Sequence, residues 1–241
     1  MSDRPAFYAL APGGWRDYWS LLHPPYTLWH LSYVVFGAAT AGDVHVGWLL
    51  ETLAAFFLAM GIAAHALDEL HGRPLGTRIP SGVLVALAVL GLAGAAALGV
   101  HGMVEVSPWL CAFIAVGIFL VVAYNLELAG GRFHSDLWFA VAWGGFPVIT
   151  AAFAQTASVT VAAATVAAGC VALSAAQRVL STPVRMLRRH AVGVAGEIEL
   201  ADGSRRAIDA TTLRGPAERA LRVLSIAVPL LAAGALLARL R

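Results

Sequence analysis

The sequence predicts an all-α fold, a polytopic membrane helical bundle of about seven transmembrane helices with a cytoplasmic N-terminus. Three observations carry this expectation. Of 241 residues, 59% are hydrophobic and only 12% are charged, with a mean hydropathy of +0.76, so too little polar surface is available to coat a water-soluble globule. Apolar stretches close to the length that crosses a bilayer as a helix recur along the chain. The basic residues fall in alternate connections between those stretches, as cytoplasmic loops require.

In chain order, residues 1–24 read as an interfacial segment. They lack a basic region followed by an apolar core and a small-residue cleavage site, so no removable signal is expected. Trp15, Arg16, Asp17, Tyr18 and Trp19 combine aromatic rings with charge, as a helix lying on a membrane surface does. Residues 25–180 form a six-helix transmembrane core, with candidate helices at 26–42, 47–67, 82–101, 107–127, 136–156 and 158–180. Gly42-Asp43, Gly72-Arg73-Pro74, Gly102, Gly130-Gly131 and Thr156 punctuate them. Residues 181–219 read as a cytoplasmic loop carrying a small β-hairpin, because 196–200 and 205–209 alternate in polarity around Asp202-Gly203. The hairpin is either a solvated flap or a lid over a cavity. A final transmembrane helix lies within 220–241.

All sixteen basic residues are Arg, which points to a GC-rich genome. Arg4 and Arg16 precede the first span, Arg73 and Arg78 follow the second, Arg132 follows the fourth, and nine Arg lie between Arg178 and Arg222. The opposite loops near Asp43, Glu105 and Thr156 hold none, leaving Arg239 and Arg241 on the far side. The expected setting is therefore multi-pass in a bacterial cytoplasmic membrane, with the lipid bilayer as partner and no nucleic acid. Cys111 and Cys170 stand alone in apolar stretches and read as packing residues, not as a disulfide or metal knuckle.

Ionisable side chains are costly in hydrocarbon and face a cavity or one another, so their placement is the strongest functional signal. The second span ends His65-Ala66-Leu67-Asp68-Glu69-Leu70-His71-Gly72-Arg73-Pro74, and helical spacing puts His65, Asp68 and Glu69 on one face. The fourth span ends Tyr124-Asn125-Leu126-Glu127, with Arg132, His134 and Asp136 just beyond. Both ends lie on the cytoplasmic side of this topology, where they can meet in one site. The alternative is that charged residues at helix ends mark the lipid boundary and reach outward to water. His30, within the first span, either hydrogen-bonds a neighbouring helix or lines a cavity as a substrate contact.

These stretches resemble the UbiA superfamily of intramembrane prenyltransferases and terpene cyclases over residues 20–155. Leu22-His23-Pro24-Pro25-Tyr26 looks like the family's Arg-Pro entry to its first helix. His65 through Gly82, with its Arg73-Pro74-Leu75-Gly76, is similar to the family's Asn-Asp-x-x-Asp-x-x-x-Asp motif. Tyr124-Asn125 through Arg132, and Asp136 to Gly144, are like the loop and helix that follow. The resemblance implies an isoprenoid or other hydrophobic small molecule as substrate and Mg²⁺ as cofactor, bound by acidic residues and bridging a diphosphate. Residue by residue it implies Asp68 as metal ligand, Glu69 as its support, His65 near the family's Asn, and Arg73 and Arg78 facing phosphate. The sequence departs from the family in keeping one Asp and one Glu where three carboxylates stand, in having no acid between Ala175 and Arg185, and in offering seven helices for nine.

Three functions follow. The first is a UbiA-like enzyme with catalytic Asp68, Glu69, His65 and Asn125 and substrate contacts from Arg73, Arg78, Tyr124, Arg132 and His30. The second is a metalloenzyme on a similar scaffold, in which His65, Asp68, Glu69, Glu127, His134 and Asp136 hold Fe, Mn or Zn, metals suited to mixed imidazole and carboxylate ligands. The third is a transporter or lipid-binding protein, disfavoured because the ionisable groups gather at one face and form no relay through the bilayer.

Overall fold

The computed structural model describes residues 4–240. Arg241, placed by the sequence on the far side, lies outside the described residues. The chain is mostly helical. A short helix α1 (Trp15–Leu21) leads to α2 (Pro24–Ala38), α3 (Val46–Leu70), α4 (Ser81–Glu105), α5 (Leu110–Asn125), α6 (Asp136–Thr156), α7 (Val161–Arg189) and α8 (Ala210–Leu237). Five of them, α3, α4, α6, α7 and α8, are long and apolar enough to cross a membrane. At 15 and 16 residues, α2 and α5 are shorter than the roughly 20 residues that span hydrocarbon without help from their flanks. Val89, Leu90, Leu230 and Leu231 are exposed on α4 and α8, a composition that suits contact with lipid.

Helix α2 is the axle of the bundle. Trp29 and Tyr33 are fully buried on it, and the Trp29 indole N–H donates to the Tyr33 hydroxyl at 2.5 Å. It packs against α3, α6 and α8, α7 closes against α6 and α8, and α4 and α5 pack on the α3 side. Small residues let these backbones approach, as in membrane bundles generally. A Cβ on Gly37 would stand 2.2 Å from the Val148 carbonyl oxygen of α6, and one on Gly144 would stand 2.6 Å from the Cys170 carbonyl oxygen of α7.

Two helices widen locally into π-turns, at Phe57–Ala64 in α3 and Val141–Gly145 in α6. Such i→i+5 turns insert a residue into the helical repeat and re-aim the side chains that follow. In α3 the widened turn immediately precedes His65.

The structure moves two sequence boundaries. The sixth helix does not stop at Leu180 but runs to Arg189, and the last begins at Ala210, ten residues before the expected start. The polar residues after Leu180 and before residue 220 belong to these helices and do not form a loop; Pro183 and Pro216 lie inside them, each costing one backbone bond without ending the helix. The loop shrinks to the stretch between them, and it does carry the hairpin, with β1 (Gly196–Glu199) antiparallel to β2 (Arg205–Ile208). Gly203 takes φ +82° in its turn, a conformation glycine adopts without steric cost. The N-terminal segment holds the short helix α1, with Trp15, Tyr18 and Trp19 exposed and Asp17 buried. Asp17 accepts from the Gly13 amide at 2.8 Å and the Arg78 amide at 3.0 Å, tying α1 to the loop after α3.

Close approach at Gly37 predicts that Gly37→Ala lowers stability by about 1–3 kcal/mol through overpacking. Gly169→Ala, an exposed position with open space around the added carbon, leaves it unchanged or slightly raised. Thermal unfolding in detergent distinguishes the two.

Candidate functional site

The helix ends singled out by the sequence do converge. His71 Nε2 lies 3.8 Å and His134 Nδ1 3.9 Å from opposite oxygens of Glu127, joining the end of α3 to the turn after α5. Behind this rim a cavity of about 300 Å³ reaches into the bundle. Its wall takes His65 and Asp68 from α3, Tyr124 and Asn125 from α5, His134 from the following turn and His30 from α2. Met60, Ala64, Phe139 and Trp143 give it an apolar side. More of the wall comes from α7, through Gln177, Arg178, Ser181, Arg185 and Arg189, from the N-terminal segment through Pro5, Ala6, Phe7 and Tyr8, and from His23 and Tyr26 at the start of α2.

Most of these side chains are held by neighbours. His30 Nε2 meets Gln177 Oε1 at 3.0 Å, bridging α2 to α7. His65 Nδ1 lies 3.0 Å from the Gly61 carbonyl, which can only accept, so Nδ1 carries the proton. The Asn125 amide donates to the Val121 carbonyl at 2.7 Å. His134 stacks on Tyr124 with ring centres 4.4 Å apart and sits 3.0 Å from the Tyr124 carbonyl. His23, preceding α2, stacks on His65 with centres 4.2 Å apart, and its Nδ1 lies 2.5 Å from the Tyr8 hydroxyl. Burial lowers the His23 pKa well below the usual imidazole value, with His65 and Arg189 acting in the same direction, and His23 is neutral. Burial likewise raises the Tyr8 phenol, which keeps its proton.

Several sequence-assigned residues have other duties. Glu69 is buried, and its oxygens accept from the Leu75 amide at 3.0 Å and the Thr77 amide at 2.8 Å. Adjacent helical residues differ by about 100° around the axis, so Asp68 faces the cavity while Glu69 faces the loop. Arg73 is engaged within the loop after α3. Its guanidinium donates to the Ile79 carbonyl at 2.6 Å and the Ser81 hydroxyl at 2.8 Å, stapling that loop. Arg78 and Arg132 are exposed outside the cavity wall. Asp136 pairs with Arg178 at 2.6 Å. The six side chains suggested as Fe, Mn or Zn ligands therefore do not gather, and among the described residues no group of three or more His, Cys, Asp or Glu is placed to hold a metal ion. The same positions leave Asp68 as the one carboxylate in the cavity wall among the described residues, a poor fit to a carboxylate-held Mg²⁺ cluster.

The α7 residues were missed as site residues, although Gln177, Ser181, Arg185 and Arg189 recur every fourth residue and so share one face. No protein-family model, curated protein or solved structure matches the chain.

Removing Glu69 tests its assignment to the loop. Glu69→Ala leaves two amides without an acceptor, and the expected loss is about 1–3 kcal/mol for each, read as a lowered midpoint of thermal unfolding. An unchanged midpoint together with lost ligand binding would return Glu69 to the site.

Proposed function

We propose that this chain is a multi-pass membrane enzyme, similar to the UbiA superfamily, that takes an isoprenoid lipid by its diphosphate head in the cavity between α2, α3, α5 and α7. The observation that carries the reading is the meeting of Arg178, Arg185 and Arg189 with Asp68, His65, Tyr124 and Asn125 around one cavity. Guanidinium groups are well suited to phosphate oxygens, because their planar fork donates two parallel hydrogen bonds and their charge is permanent. With Arg178 already paired to Asp136, Arg185 and Arg189 are the principal head ligands in this reading.

The rest of the wall suits what remains of such a substrate. Loss of diphosphate from an allylic carbon leaves positive charge on that carbon. The faces of Tyr124, Phe139 and Trp143 and the Asp68 carboxylate are groups that stabilise a cation. Asn125 and His65 supply polar contacts for a second reactant, or for an oxygen or double bond of the same chain if the product is a ring. The head is held by Arg directly, and no step passes through a metal.

The topology belongs to the same proposal: seven spans, the N-terminus and the cavity mouth on the cytoplasmic side. The bias of Arg toward the loops at the cavity end supports it, and α1 lying beside those loops as an aromatic interfacial helix lets the shorter α2 start at the surface.

Calorimetric titration of the protein in lipid nanodiscs with geranylgeranyl diphosphate tests the reading. Wild type binds, and Arg185→Ala weakens binding about tenfold or more, as loss of a charge-assisted hydrogen bond does. No binding by wild type, or equal binding by the Arg185→Ala and Arg189→Ala double variant, overturns it.

A further inference from the structure

We propose that residues 4–10 form a strap that closes the cavity, and that Arg189 is the latch coupling strap closure to an anionic head bound inside. The proposal rests on the reading of the cavity as a site for such a head. The strap is not part of any long helix, yet Pro5, Ala6, Phe7 and Tyr8 contribute to the cavity wall. It is fastened from α7 through its own backbone: Arg188 Nη1 donates to the Arg4 carbonyl at 3.0 Å and Arg189 Nε to the Pro5 carbonyl at 3.3 Å. From α8, the Arg222 guanidinium lies 4.5 Å over the Phe7 ring. The Leu10 amide donates to the Ser20 hydroxyl at 2.9 Å, fixing the strap's far end to α1.

Arg189 faces two ways. Its Nε holds the strap, and its side chain also borders the cavity. A guanidinium carries five donors in one rigid plane, so a phosphate held by the terminal nitrogens orients the Nε that grips Pro5. Binding of the head thus fixes the latch, and a ligand that interacts differently with open and closed states shifts their populations.

The closed state also carries a cost that keeps it reversible. The Tyr8 hydroxyl and His23 Nδ1 share a hydrogen bond, which leaves Nε2 as the ring nitrogen without a contact to the strap. That Nε2 is buried without a hydrogen-bond partner, and His23 itself holds a left-handed backbone at φ +46°. An unpartnered buried ring nitrogen and a non-glycine residue with positive φ are both unfavourable. Opening the strap removes the Tyr8 contact and frees the His23 ring, which lines the cavity, to find another partner. The strap is therefore held by two Arg–carbonyl bonds, the Arg222 contact on Phe7, the Tyr8–His23 and Leu10–Ser20 hydrogen bonds and the packing of Phe7 and Tyr8 on Tyr26, against a standing penalty, and an added interaction at Arg189 shifts that balance toward closure.

Hydrogen exchange read by mass spectrometry on the full chain in nanodiscs, with and without inorganic pyrophosphate, tests this. Pyrophosphate slows exchange of the residue 6–10 amides about tenfold or more. Tyr8→Phe, which removes a strap contact and leaves the Arg groups in place, speeds that exchange without ligand and raises the pyrophosphate off-rate about threefold or more, the worth of one hydrogen bond. Pyrophosphate that binds wild type without altering exchange at 6–10, or that leaves Tyr8→Phe at the same rate, overturns the strap alone. Failure of wild type to bind pyrophosphate at all overturns the anionic-head reading and the strap with it.

Discussion

Hydrocarbon offers no hydrogen-bond partners, and everything distinctive in this structure follows from that constraint. The long helices present apolar side chains outward, so their polar residues must face inward or collect at the ends. At one end they do both. His30 finds Gln177 across the bundle axis, Asp68 turns into the cavity while its neighbour Glu69 satisfies a loop, and α7 brings a row of Arg to the same depth. The small residues at Gly37 and Gly144 bring the backbones close enough for those side chains to share one cavity.

The charge balance of that cavity decides its chemistry. One carboxylate, Asp68, shares the wall with Arg178, Arg185 and Arg189, and Asp136 offsets Arg178 from outside. The uncompensated guanidinium charge in a low-dielectric surrounding attracts an anion more strongly than it would in water. A buried ion pair nearby, Arg188 with Glu218, is structural by contrast: it joins α7 to α8 below the strap, and removal of either partner would leave a lone charge.

Much of the architecture was legible in the sequence because hydropathy reports directly on solvent. The helical segments fell where the runs of apolar residues put them, and the Asp202-Gly203 turn announced the hairpin. The errors share one physical cause, which is that local signals were read without the helix geometry around them. The polar stretch after Leu180 looked like loop, but much of it belongs to the ends of two long helices. Asp68 and Glu69 were read as sharing one face but lie more than a quarter of a turn apart, so the former lines the cavity and the latter serves the loop. Gln177, Ser181, Arg185 and Arg189 carried a readable four-residue period, hidden by the assumption that the helix had ended. The strap could not be read at all, since nothing in Pro5-Ala6-Phe7-Tyr8 specifies a partner until α7 and α8 supply the Arg groups that hold it.

The central claim is that the α7 row and the α3 end border one anion-binding cavity reachable from water. Ser181, buried in its wall, offers the most direct probe. With Cys111 and Cys170 replaced, Ser181→Cys should react with a negatively charged, membrane-impermeant thiosulfonate, and pyrophosphate should protect it. A thiol that the reagent never reaches, or whose rate pyrophosphate leaves unchanged, would contradict the account.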